Sequence, residues 1–322
     1  LSFDLNLATT VTEQNGALQE GFFLGSPFFM AQFIRPTNPI YNEDGTYATE
    51  EVFNYNPLAA NELDDRNSTQ KQLVGNAGAI YNITSNLNFR TNWGLDYRTV
   101  EDIDYRAPES PAGESLGGYR FDANRTVTNF TTNQVVNYYD TFSEVHSVRA
   151  LGGFEYRQET RETFSASGQG FPSGLFRTLQ NAAEPLSVTG FGSEYRQASF
   201  FSRVQYDYDD TYLTNVSVRY DGNSRFGEDK RWGLFYAGSL GWRASNMSFM
   251  DFSNDWLEDL KFRISYGITG NSAISNFASR QLFTSGGAYN NAPALTPSGL
   301  GNNLLTWEES ATINLGLDWA IF

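Results

Sequence analysis

The chain has 322 residues and a formal net charge of −15, with 29 glycines, 18 tyrosines, 26 phenylalanines and no cysteine. Acidity without a basic footprint argues against nucleic acid as a partner, and the lack of cysteine removes disulfides, thiolate zinc sites and a thiol nucleophile. A mean hydropathy of −0.45, with no apolar run approaching about 18 residues, excludes a membrane-spanning helix and leaves β-structure as the natural home for so many glycines and aromatics.

The N-terminal LSFDLNLATT has no basic segment leading into a hydrophobic core, so no signal peptide is expected and the chain reads as processed or as an internal piece. Leu1 to Val11 alternates Phe3, Leu5 and Leu7 with Asp4 and Asn6, which predicts a strand with one lipid-like face. Thr12 to Ser68 carries Pro27, Pro36, Pro39, Pro57 and the turn signal Glu43-Asp44-Gly45, the mark of a large loop. Strands are then expected over Lys71–Ile83 and, after Thr84-Ser85-Asn86, from Leu87 onward, where Leu87, Phe89, Thr91, Trp93, Leu95 and Tyr97 oppose Asn88, Arg90, Asn92, Gly94, Asp96 and Arg98.

A loop over about Ala107–Arg125 leads to Thr126–Phe142, where both faces mix threonine, asparagine and aromatics and no register can be assigned. The next strand sets Val148, Ala150, Gly152, Phe154 and Tyr156 against Arg149, Glu155 and Arg157, and a loop follows over about Gly168–Ser193. Ala198, Phe200, Val204, Tyr206 and Tyr208 then face away from Ser199, Arg203, Gln205 and Asp207, and Asp209-Asp210 turns the chain.

The clearest pattern is the hairpin Thr211–Arg243. Tyr212, Thr214, Val216, Val218 and Tyr220, with Trp232, Leu234, Tyr236, Leu240 and Trp242 on the return, form a greasy face with aromatics at both ends. That is the layout of strands crossing a bilayer between two interfacial girdles. Tyr212 to Tyr220 spans roughly eight residues at ~3.3 Å each, enough for an apolar band of about 25 Å. After Ala244–Asp259, which has room for a short helical turn, Leu260, Phe262, Ile264, Tyr266 and Ile268 oppose Lys261, Arg263, Ser265 and Thr269. A long loop over Gly270–Glu309 precedes the last strand, where Ile313, Leu315, Leu317, Trp319 and Ile321 oppose Thr312, Asn314, Gly316 and Asp318.

The expectation is therefore all-β: an antiparallel transmembrane β-barrel segment of about ten strands, long external loops alternating with short periplasmic turns. A soluble sandwich also alternates, but it has no reason to sort its loops by rim, as outer-membrane barrels do. The parity of Phe322, with Asp318 and Asn314 rather than with the lipid face, argues against a closed ten-stranded barrel ending here.

Catalytic material is scarce. His146 is the only histidine and leaves nothing for a triad or a His-based metal site. Asp207, Asp209 and Asp210 lack the spacing of a calcium loop and read as a solvated turn. No enzyme, cofactor or metal is expected. Arg90, Arg203, Arg219 and Arg263 share the lumen parity with Asp221 and are candidate substrate-path residues, with pairing to Asp96, Asp207 or Asp221 as the plainer reading. Trp307, beside Glu308 and Glu309, is an external-rim aromatic candidate, either a sugar-stacking platform or, more simply, a girdle residue. A small closed barrel acting as an adhesin or surface enzyme, and a soluble glycan-binding β-protein, stand as alternatives that predict a rim catalytic cluster and detergent-free solubility respectively.

Four stretches, RYDGNSRFG at Arg219–Gly227, RWGLFYAGSLGWR at Arg231–Arg243, LKFRISYGITGN at Leu260–Asn271 and LTWEESATINLGLDW at Leu305–Trp319, resemble SusC/RagA-type TonB-dependent transporters of the Bacteroidetes outer membrane. NPIYNEDGTY at Asn38–Tyr47 and YNPLA at Tyr55–Ala59 resemble that family's first external loops, while Phe235-Tyr236-Ala237 departs from it where a proline usually follows the Phe. The resemblance covers residues 1–322 as a partial barrel, a middle section of about 22 strands, with no counterpart of the plug domain or the TonB-contacting box. It implies import of large nutrients such as oligosaccharides or peptides, TonB acting through a plug, a SusD-like surface lipoprotein over the loops, and outer-membrane lipid around the wall.

Overall fold

The computed structural model describes residues 1–16, 32–48, 56–253, 255–290 and 292–321. Ten strands form one antiparallel sheet: β1 (Ser2–Asn15), β2 (Asp65–Asn82), β3 (Leu87–Arg106), β4 (Tyr119–Phe142), β5 (His146–Gln169), β6 (Glu184–Tyr208), β7 (Tyr212–Asn223), β8 (Trp232–Arg243), β9 (Leu257–Asn271) and β12 (Glu308–Ile321). They pair in chain order from β1 to β9, with β12 beside β9. The connection between β9 and β12 contains its own two-stranded hairpin, β10 (Phe283–Tyr289) and β11 (Ala292–Pro297). A short helix, α1 (Pro57–Leu63), precedes β2.

Register carries the predicted parity across the sheet. Val148, Tyr206, Thr214, Leu240, Ile264 and Leu315 are successive cross-strand neighbours. One residue along, Arg149, Gln205, Asn215, Ser239, Ser265 and Asn314 form the adjacent row. Since alternate residues of a strand point to opposite faces, one row is the lipid surface and the other the polar inner wall. The outer face is exposed in the chain alone, with Leu5 at 77% and Leu315 at 78%. Aromatics bound that face. Tyr208–Tyr212 (6.3 Å) and Trp242–Phe262 (5.7 Å) stack near the short-turn rim, and Tyr220–Trp232 (4.8 Å) and Phe154–Phe200 (5.1 Å) lie toward the other.

The turns at the short rim are as tight as expected. Ser143 and Glu144, and Asp209 and Asp210, take positive φ at the centres of their hairpins, the left-handed pair that matches strand twist. Asp207 Oδ1 accepts the amide of Asp210 at 2.8 Å, which makes this conformation tolerable without glycine. The short helical turn expected between β8 and β9 is present as 3-10 turns at Ala244–Asn246 and Ser248–Ser253.

At the other rim the expected loops are too long, because the strands run on. β4, β5 and β6 have 24, 24 and 25 residues, against 12 for β7. The predicted loops at Ala107–Arg125 and Gly168–Ser193 therefore shrink, as β4 begins at Tyr119, β5 reaches Gln169 and β6 begins at Glu184. Beyond the bilayer both faces of a strand meet water, so the apolar alternation that reveals a strand vanishes there. The Thr12–Ser68 loop likewise loses its ends to β1 and β2 and contains α1, capped by Asn56, whose Oδ1 accepts the amides of Leu58 and Ala59. β4 also gains its register: Thr128, Phe130, Thr132, Gln134 and Val136 lie opposite Tyr97, Leu95, Trp93, Thr91 and Phe89 on the outer face.

One parity assignment fails. β8 and β9 pair only from Ala237↔Gly267 to Arg243↔Lys261, so the wall forks toward the long-loop rim. Past the fork, Ile268 packs against a buried cluster instead of facing lipid. β1 pairs with β2 alone and β12 with β9 alone, leaving the sheet open. The expectation resting on Phe322 lies outside the described residues.

Candidate functional site

The candidate site is the inner wall together with the long-loop rim above it. The wall is braced by charge pairs within a strand and across strands. Arg219 on β7 donates through Nε to Asp221 Oδ1 (2.7 Å) and through Nη2 to Glu155 Oε1 on β5 (3.1 Å), and its guanidinium lies 5.5 Å from the ring of Phe201. Asp221 is buried at 7% exposure, so the pair spares a carboxylate from being left uncompensated. Arg263 donates to Asp318 Oδ1 at 2.6 Å.

Arg90 and Arg203 behave differently. Both are exposed on the inner face, and neither guanidinium has a hydrogen-bond or ion-pair partner among the described residues. Asp96 instead accepts from Gln72 (2.9 Å), and Asp207 serves the turn. The five sequence candidates on the wall thus divide into three that brace it and two that are open to the lumen. They do not converge on one reacting centre. Residues not singled out from the sequence contribute as much: Arg149 and Lys261 join Arg263 in lining one groove of about 750 Å³, while Asn92, Asn129, Glu155 and Arg157 line another of about 640 Å³. Parity alone marks Arg149 and Arg157 as inward, but it gives no rank among inward residues.

At the rim, Trp307 is neither an open stacking platform nor a girdle residue. It is 7% exposed, packed 4.8 Å from Phe226 and edge-on to Phe235 at 5.2 Å, and its Nε1 donates to the Arg231 carbonyl at 3.0 Å. The fork between β8 and β9 explains this placement: Phe235 sits where a paired neighbour would otherwise lie, and the indole fills the remaining gap. The amide of Gly227 bonds the Leu305 carbonyl at 3.0 Å and closes the same cluster. The four stretches Arg219–Gly227, Arg231–Arg243, Leu260–Asn271 and Leu305–Trp319 all contribute to this node, a convergence that sequence order does not reveal.

A further contact ties the node to β6. Arg225 lies 3.9 Å over the ring of Tyr195 and donates to Asn276 Oδ1 (2.7 Å) and the Ser272 carbonyl (3.3 Å); Asn276 in turn donates to Ser193 Oγ (2.6 Å). The other external connections interlock through Tyr105 and Phe171, edge-on at 5.6 Å, with Leu63 and Ala182 against them. Phe171 N bonds the Gly117 carbonyl at 2.7 Å. Beside them the Asp64 carboxylate accepts the Ala107 amide at 3.0 Å. Burial pushes this carboxyl above its ordinary range, opposed by that amide and by Arg66. In the first connection Asn56 Nδ2 donates to the carbonyls of Ile40 and Ala48 (3.0 and 2.7 Å), and the rings of Tyr41 and Tyr47 meet in a tilted contact at 5.1 Å. The described rim is thus built of cross-linked connections.

Comparison with known proteins gives one family and several relatives. The model of the TonB dependent receptor-like β-barrel matches residues 15–321. TonB-dependent receptor P39 of Formosa agariphila is 33% identical over 100% of this chain and 31% of its own length. The TonB-dependent receptor SusC of Bacteroides thetaiotaomicron is 29% identical over 89% of the chain and 29% of its own. The chain therefore spans about a third of the length of these relatives. Among solved structures, the RagAB peptide transporter superposes with a TM-score of 0.81 at 25% identity, covering 99% of this chain and 36% of that one.

Proposed function

We propose a transport role from one premise: the chain belongs to the TonB-dependent receptor-like β-barrel family, and its place is the bacterial outer membrane. Within the intact protein this wall would line the path by which large nutrients, oligosaccharides or peptides, are imported. TonB would supply energy through a plug domain, and a SusD-like surface lipoprotein would close over the external connections. The relatives that match are receptors and transporters, which supports passage rather than turnover.

The observation that carries this reading is the separation of roles on the inner wall. Arg219, Asp221 and Arg263 are spent on each other or on neighbouring carboxylates, whereas Arg90 and Arg203 are left to meet whatever fills the lumen. Selection would lie in the external connections, because loops vary freely on a rigid scaffold. Removing β10–β11 (Phe283–Pro297), or shortening the β1–β2 connection ahead of α1, tests this in the intact transporter. Uptake or lid binding is lost while the barrel still migrates as a folded species in an unboiled gel. Unchanged uptake after both deletions overturns the assignment.

A further inference from the structure

The β8–β9 connection, residues 244–256, leaves the same rim as the tight turns after β2, β4 and β6 but is much longer. It carries Phe249, Phe252 and Trp256 at 56%, 75% and 52% exposure, the first two on its second 3-10 turn. Such a concentration of open aromatic surface has no function in a mere reversal of chain direction.

Two contacts show which side of the wall the connection occupies. The ring of Phe249 lies 6.4 Å from Trp242, and the Tyr212 hydroxyl donates to Met247 Sδ at 3.8 Å. Trp242 and Tyr212 are cross-strand partners on the lipid-facing parity, so the connection folds toward the bilayer side. Its base is rigidly held. Arg243 pairs with Asp210 and, at 3.1 Å, with Asp259; Ser245 donates to Asp259 (3.2 Å) and Asn246 to the Asp210 carbonyl (3.2 Å). Ala244 and Leu257 are buried at either end.

We propose that the described residues of this connection form an amphipathic foot seated on the periplasmic leaflet, with Phe249, Phe252 and Trp256 among the phospholipid headgroups. Aromatic rings favour this depth, where the apolar body and the polar edge are both satisfied. The occupant is lipid because the patch continues an interface already in place: Phe249 extends the Tyr208, Tyr212, Trp242 and Phe262 girdle outward by one more ring.

The test places a nitroxide at Phe252→Cys in the intact transporter; this chain contains no cysteine of its own. The protein is reconstituted in vesicles of phosphatidylethanolamine and phosphatidylcholine, zwitterionic because Asp251 and Asp255 are exposed on the connection and Glu258 at the start of β9. Collision with oxygen is compared with collision with a water-soluble nickel complex. Ser85→Cys, in the β2–β3 turn, marks water, and Val216→Cys marks the bilayer interior. The expected oxygen-to-nickel ratio at 252 is several-fold above that at 85 and below that at 216. A ratio equal to that at 85 puts the foot in water and overturns the proposal. Shielding from both reagents means a protein, a second copy or another partner, covers the foot, and overturns it equally. Quenching of tryptophan emission by brominated lipid, compared between wild type and Trp256→Phe, reads the same seat without a label. A Trp256 contribution insensitive to brominated lipid rejects it.

Discussion

Val216 and Ser217 are adjacent in the chain, and they meet different solvents. Val216 sits in the row of Val204 and Gly238, Ser217 in that of Arg203 and Ala237. Arginine at a lipid-facing, mid-bilayer position costs about 2–4 kcal/mol, whereas a lumen position can hydrate it. Val216→Arg and Leu315→Arg are therefore expected to block assembly of the intact barrel, and Ser217→Arg and Asn314→Arg to leave it intact. Migration of unboiled and boiled samples separates the two classes, and equal damage from both contradicts the assigned faces. Glycine at 227 and 270 has a steric reason. A Cβ at Gly227 falls on the Asn303 backbone, and one at Gly270 falls on the Phe235 ring. Gly227→Ala and Gly270→Ala should each cost about 1–3 kcal/mol through overpacking, while Gly152→Ala, with open space around it, should be silent. Urea midpoints of the reconstituted protein measure the difference.

At the scale of elements, the rim is set by who holds whom. Arg225 joins the β7–β8 connection to the β9–β12 connection through Asn276 and Ser272 and covers Tyr195 on β6. Arg225→Ala removes charge-assisted bonds that are worth about 1.5–3 kcal/mol, and Arg225→Lys cannot restore a planar group over the ring. Hydrogen exchange over residues 193–196 and 272–276 should accelerate in both variants, with the β7–β8 ladder unchanged. Exchange that rises along all of β7 and β8 would show instead that Arg225 supports the wall itself. The pattern of strands was legible because lipid on one face and a wet lumen on the other impose period two. Where β4, β5 and β6 rise beyond the bilayer, that asymmetry ends, and Tyr119 to Arg125, or Glu184 to Ser193, looks like loop although it is strand.

Across the whole molecule, β1 and β12 each leave one edge of backbone donors and acceptors without a strand. Unpaired backbone in hydrocarbon costs several kcal/mol per group, so these edges require partners in the intact protein. The 322-residue chain refolded alone in detergent should give no heat-modifiable closed barrel. Amides of β1 and β12 should exchange fast in that chain and slowly in the intact transporter. A compact, heat-modifiable species from the chain alone would refute this.

The amino-acid sequence by itself determined the two faces and the order of the strands, because each side chain declares its solvent and neighbouring strands in a meander follow one another. It also placed Arg90, Arg203, Arg219, Asp221 and Arg263 on the inner wall, since parity is local. Tertiary structure alone decided which of those charges are paired, for the Arg219 to Glu155 contact depends on cross-strand register over a long separation. It alone moved Trp307 from an open rim to a buried wedge, because the fork between β8 and β9 is a property of pairing and twist, which no single strand records.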